Sequence, residues 1–320
     1  MSAGPPVHSP SFPAVTLLLS LLGACAADEP VTAPSSRRGI FTLRVAEQPA
    51  SSDALVAELA ARHLALHGDT ADQIVFWFDE DLFMPASFYV ATRNATRGLG
   101  LPLEDDRIFG TERLLGLVTM GAGWTRTTDD DAGVVRRLAQ ETAHAWGAHL
   151  RFRTNAGQNS SALLGREQSH WGFGLDTGGS PLGGNAWVAL GGGRYRASPP
   201  REVRYAPLDL YLMGILPQTE VPPVRLLTLV SPCPVCRGDT TDTEVVVEAT
   251  EETIPIERIV EATGPRTPAR FAPLRQAWVL VSRETPSATR LRQLERLQER
   301  WITTFAAATG SRWSVETAEP

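Results

Sequence analysis

The alternation of short apolar runs with stretches of helical periodicity is what most constrains the fold of this chain. Gln73–Phe78 reads QIVFWF, rich in the aromatic and β-branched residues that suit a pleated surface, and predicts a buried strand. Residues 40–45 alternate like a strand, and 114–120 (LLGLVTM), 245–247 (VVV) and 277–282 (AWVLVS) predict three more. Ser51-Ser52-Asp53 caps a helix that runs to about Leu66, with Leu55, Leu59, Ala60 and Leu64 at helical spacing and Gly68 at its end. Residues 134–149 predict a second helix, and Asp129-Asp130-Asp131 before it complements the positive end of its dipole. Residues 256–262 predict a short helix, and Ala288–Ala308 a long one with Leu291, Leu294, Leu297, Trp301 and Phe305 on one stripe. Residues 205–216 read as a short helix or turn, 154–200 as a Gly/Ser/Asn-rich loop and 217–223 as a linker. The order is that of a mixed α/β (α+β) protein.

The first residues speak to compartment. Residues 14–24, AVTLLLSLLGA, form an apolar run that suits a signal sequence and is too short to span a bilayer as a helix. Leu22-Gly23-Ala24-Cys25 resembles the lipobox of lipoprotein processing, in which the cysteine thiol receives the lipid. The segment before it, MSAGPPVHSPSFP, departs from a signal sequence in carrying no Lys or Arg, and the other reading of 14–24 is a buried strand with a chance cysteine. The lipobox reading makes 1–24 a signal peptide, Cys25 a lipid anchor and 25–38 a Pro/Ser/Ala-rich tether. Ala26, rather than an aspartate, follows the cysteine, which by the same resemblance implies the outer membrane of a cell envelope. Export also bears on Cys233 and Cys236: outside a reducing compartment a CxxC is a small structural disulfide more often than a redox or metal pair. A net charge of −6 leaves no basic footprint for nucleic acid.

Chemistry concentrates in Gln140-Glu141-Thr142-Ala143-His144. Zinc hydrolases of the HExxH type place two histidines one helical turn apart, so that both imidazoles reach one ion, and the glutamate beside the first polarises a metal-bound water. Here the glutamate and the second histidine are present and glutamine holds the first position. A neutral amide oxygen is a weaker zinc donor than imidazole. Taken alone, QExxH also describes a solvated Glu/His pair on a helix. Trp146-Gly147 follows, His170 in Ser169-His170-Trp171 offers a further donor, and Met213 in Tyr211-Leu212-Met213-Gly214 is placed much as in a Met-turn.

Taken in order, AQETAHAWG, SHWGF, GGSPLGGN, YAPLDLYLMG and Glu220-Val221-Pro222-Pro223 resemble a family of secreted bacterial putative zinc metallopeptidases, metzincin-like in outline. IFGTERLLGLVTM, the Gly-Pro-Arg of 264–266 and the late ATGSRW extend the resemblance over roughly residues 70–315. It implies a zincin-like mixed sheet with an active-site helix over 39–225 and a C-terminal α/β subdomain over 226–320 packed on it. It implies His144 and His170 as zinc ligands, Glu141 as general base and Gln140 in a degenerate ligand position. Zinc is then held weakly or not at all, and the partner is a peptide or protein, hydrolysed weakly or simply bound. Asp209 is a spare carboxylate, either a ligand or a helix cap. His149, five residues after His144, points elsewhere on a continuous helix, and His63 and His67 read as a solvated pair.

Overall fold

The apolar run at Gln73–Phe78 is a strand in which all six residues are buried. In this computed structural model it lies inside a mostly parallel sheet covered on both faces, which is why its sequence does not alternate. The structure describes residues 39–46, 52–126 except 81, 83 and 85, 131–268 except 232, 234, 235 and 237, and 272–318. The expected signal peptide, Cys25 and the tether, together with Asp129 and Asp130, lie outside the described residues.

In chain order the first half holds β1 (Ile40–Arg44), α1 (Ser52–His67), β2 (Gln73–Phe78), β3 (Phe88–Ala91), β4 (Gly116–Met120), α2 (Asp131–Ala143), β5 (Phe152–Arg153) and β6 (Asn159–Ser160). Next come β7 (Trp171–Asp176), β8 (Gly183–Asn185), β9 (Val188–Gly191), β10 (Arg194–Ala197), α3 (Pro207–Met213) and β11 (Val224–Leu229). The chain closes with β12 (Val245–Ile254), α4 (Ile256–Thr263), β13 (Leu274–Ser282), α5 (Ala288–Ala308) and β14 (Val315–Thr317). The fold is mixed α/β.

The first sheet has the order β1-β13-β2-β4-β3, with β14 also paired to β13; only β3 runs antiparallel to its neighbour. On one face Ile74, Phe76 and Phe78 pack with Phe41, Val279 and the α1 residues Leu55 and Leu59. On the other, Val75, Trp77 and Trp278 pack with Leu138 of α2 and Leu294 and Trp301 of α5. β13 sits between β1 and β2, so the expected boundary at 225/226 is corrected: the C-terminal stretch supplies an interior strand of the first sheet, not a subdomain laid upon it.

The second sheet, β8-β7-β11-β12-β10-β9, is antiparallel except where β7 meets β8. One face packs Trp187, Tyr195, Leu227, Val245 and Val247 into a small core, and β12 alternates buried and exposed residues from Val245 to Thr250, as a one-sided sheet requires. Most of this sheet comes from the stretch expected to be loop. Its glycines make tight turns between short strands, with positive φ at Gly178 and Gly179 between β7 and β8 and at Gly192 and Gly193 between β9 and β10. The sequence reading also passed over β3, β11 and β14. Among the described residues no helix is long and apolar enough to cross a membrane.

Candidate functional site

The helix that carries Gln140 and Glu141 is fixed to the sheet by a buried polar network. Gln73 of β2 donates through its amide to the Thr142 carbonyl at 2.9 Å. Gln276 of β13 donates to Gln73 Oε1 at 2.9 Å and to Thr142 Oγ1 at 3.2 Å, and accepts from Trp301 Nε1 at 2.8 Å. All four side chains are fully buried, where a satisfied network is rigid and a broken one is costly. Tyr205 adds a hydroxyl bond to the Ala139 carbonyl at 2.9 Å.

α2 ends at Ala143, earlier than predicted. His144 N still donates to the Gln140 carbonyl at 3.3 Å, so the one-turn relation between these residues survives. Trp146 is buried with its ring 5.5 Å from that of Trp313. Gly147 packs against Leu182, where a Cβ would come within 2.8 Å of a methyl carbon. The chain then turns back. Ala148 N donates to the Ser169 carbonyl at 3.1 Å, drawing the SHW segment beside the end of α2.

His144 and His170 meet there edge to face, with ring centroids 4.8 Å apart. Gln140 Nε2 lies 3.3 Å from His170 Nε2, so Gln140 and the distant histidine are in contact. Arg166 Nη2 lies 3.1 Å from the same ring nitrogen. A guanidinium can only donate, so His170 Nε2 accepts and its proton resides on Nδ1, which lies 3.3 Å from the Arg166 carbonyl. Asp239 accepts from the Arg166 backbone N–H at 2.7 Å and from its Nε at 3.3 Å, and approaches His170 Nδ1 at 3.8 Å. Cys233 and Cys236 form the expected disulfide three residues before it.

Glu141 is buried, and no donor among the described residues hydrogen-bonds its carboxylate. Burial pushes its pKa up to about 7, with Arg137 and Arg166 opposing the shift. Burial and then the neighbouring His170 hold His144 down to about 4, and burial likewise lowers His170.

The remaining candidates fall outside the cluster or join it unexpectedly. Asp209 is a holding group rather than a ligand: it accepts from Trp171 Nε1 at 2.7 Å and from Ala206 N at 2.7 Å, and also from the Ser180 hydroxyl. It thereby ties the start of α3 to the residue after His170. Met213 is buried at the end of α3, where Arg266 donates to the Leu212 and Met213 carbonyls at 2.8 and 3.2 Å. Gly214 beyond it has φ +81°, and a Cβ there would strike the Arg266 guanidinium at 2.3 Å, so the GPR and YLMG segments form one helix cap. His149 is corrected. Because α2 stops early, His149 returns to the site, its Nδ1 lying 3.2 Å from the Gln168 carbonyl, and it feels the charge of His170. His63 is corrected too, being buried at 1% exposure against Phe41. Arg166 and Asp239, both adjoining segments singled out in the sequence, were missed; no pattern in the sequence pairs them.

Among the described residues no group of three or more His, Cys, Asp or Glu is arranged to hold a metal ion. Two imidazoles and a neutral amide face one another, and two N–H donors already point at the His170 lone pair. As arranged, this donor set does not fit a resident zinc. No family model, curated protein or solved structure matches the chain.

Proposed function

We propose that this is a zinc-metallopeptidase-like protein of metzincin-like outline, tethered in the cell envelope by lipid on Cys25, that hydrolyses peptide bonds weakly or not at all. The observation that carries the reading is the meeting of His170 with Gln140 and His144 at the end of the helix that bears buried Glu141. These residues come from two segments 30 positions apart, and they are the ones that the family resemblance implies.

The weakness of the chemistry follows from the same contacts. Glutamine supplies no imidazole, and the permanently charged Arg166 competes with any dication for His170 Nε2. No step is therefore routed through a metal. The residues present can hold a polar group of a bound peptide: Glu141 as a carboxyl that exchanges its proton near neutral pH, Arg166 as a donor. A catalytically inactive, peptide- or partner-binding lipoprotein is the second reading, favoured by the Arg166–His170–Asp239 contacts.

Metal analysis of the mature protein beside the Gln140→His/Arg166→Ala variant separates the two. The parent protein should carry far less than one zinc per chain. The variant should gain zinc and cleave an unfolded protein such as casein. A folded variant that stays metal-free and inert removes the peptidase-like reading and leaves the binding one.

A further inference from the structure

A second feature of α2 lies in its N-terminal half, away from His144. There α2, α5 and the segment around Pro200 enclose a cavity of about 570 Å³. Arg136, Arg201, Arg300, Thr303 and Thr304 line it, and Glu202 is the only carboxylate among its lining residues. Counting Asp131, which Arg300 meets at 4.0 Å, three guanidiniums stand against two carboxylates there, a local reversal of sign in a chain of net charge −6.

Arg136 is the informative member. It is half-buried and spends its guanidinium on backbone carbonyls: Glu202 at 3.2 Å, and Gly179 and Ser180 at 3.3 Å each. Among the described residues no carboxylate lies within ion-pair distance of it. Burial holds its pKa below the usual arginine value. Arg201 is exposed and likewise has no ion-pair partner among the described residues. Arg300 reaches Asp131 only at 4.0 Å, and that carboxylate is held more closely by Arg296 at 3.1 Å. Ala132 and Gly133, in the first turn of α2, line the same cavity.

We propose that this cavity binds a phosphate group, free or on a small organic headgroup, between the guanidiniums of Arg136, Arg201 and Arg300 and the hydroxyls of Thr303 and Thr304. Planar N–H forks match the oxygens of a tetrahedral oxyanion, and hydroxyls of adjacent residues add donors. The volume suits a small organic phosphate. The inference is independent of the peptidase-like reading, since none of its residues belongs to the His144–His170 cluster.

Calorimetric titration of the mature protein with inorganic phosphate and with glycerol 3-phosphate tests it. At least one should bind, and the Arg201→Ala/Arg300→Ala variant should lose about tenfold or more in affinity. Both side chains are exposed, so the unliganded variant should melt with the parent protein. Arg136→Lys, which keeps the charge but loses the fork, should weaken binding as well. Tighter binding of glycerol 3-phosphate supports a headgroup ligand; tighter binding of inorganic phosphate supports the free ion. Failure of both probes to bind at millimolar concentration, or equal binding by the double variant, overturns the proposal.

Discussion

Two histidine pairs in this protein have the same ring separation, 4.8 Å, and opposite surroundings. His63 and His67 lie one turn apart on α1. His63 is buried, both its ring nitrogens lack a partner among the described residues, and both rings pack against Phe41 at 4.7 and 4.4 Å. His144 and His170 come from separate segments, and their ring nitrogens face an amide, a guanidinium, backbone carbonyls and a carboxylate. At equal ring separation, His63 of the first pair belongs to a core, with His67 at its edge, and the second pair belongs to a polar cluster. What differs is whether other segments bring polar partners to the rings, and a spacing motif carries no information about that.

Asp209→Ala should have the largest effect and should touch only the second pair. It leaves Trp171 Nε1 and Ala206 N without an acceptor beside His170, at a cost of about 3 kcal/mol by urea unfolding. The His63 resonance in a proton NMR titration should not move. A shift there would mean that the two pairs are coupled and the comparison is misdrawn.

Opposite pH slopes sharpen the contrast. The His63 pKa is lowered from 6.5 to about 4, chiefly by burial and then by the charge of His67. The unfolded chain therefore binds the extra proton first, and stability is complete above pH 6.5 and lost as pH falls toward 4. Between pH 8 and pH 5 this group should cost about 2 kcal/mol, absent in His63→Leu. Glu141 runs the other way. Its folded pKa of about 7 lies above the unfolded 4.5, so its contribution is present at low pH and is lost as pH rises through 7. In the metal-free protein, Glu141→Gln should become more stable relative to the parent by about 2 kcal/mol on going from pH 5 to pH 8. Parallel slopes for the two variants would contradict the assignment.

His67→Ala should have the smallest effect, about 1 kcal/mol or less in stability. Its sharper readout is an upward shift of the His63 titration, because the charge that opposes protonation of His63 is gone.

Much of the framework could be read from local pattern. The bounds of α5 and the strand at Gln73–Phe78 follow from side-chain periodicity and bulk, which act over a few residues. Apart from the start of β12 at 245–247, the second sheet could not be read in this way, because its short strands are interrupted by turn glycines and their partners are distant: β11 pairs with both β12 and β7. The candidate site divides similarly. Glu141 and His144 were visible as a motif, and Asp209 as a carboxylate without a role. Arg166 and Asp239, 73 residues apart, carry no mutual signal. The prediction for His149 failed because it assumed a continuous helix, and the turn at Gly147 breaks that assumption.

The sequence by itself determined the four longest helices, four strands of the first sheet, the mixed α/β class, the QETAH segment, and the order of segments on which the family resemblance rests. These depend on residue chemistry and short-range spacing. Only the tertiary structure decided that β13 enters the middle of the first sheet, that His63 is buried, and that Arg166 reaches His170 Nε2. Each of these is a contact between segments far apart in the chain, and such contacts are selected by how all the layers pack together, which local pattern does not encode.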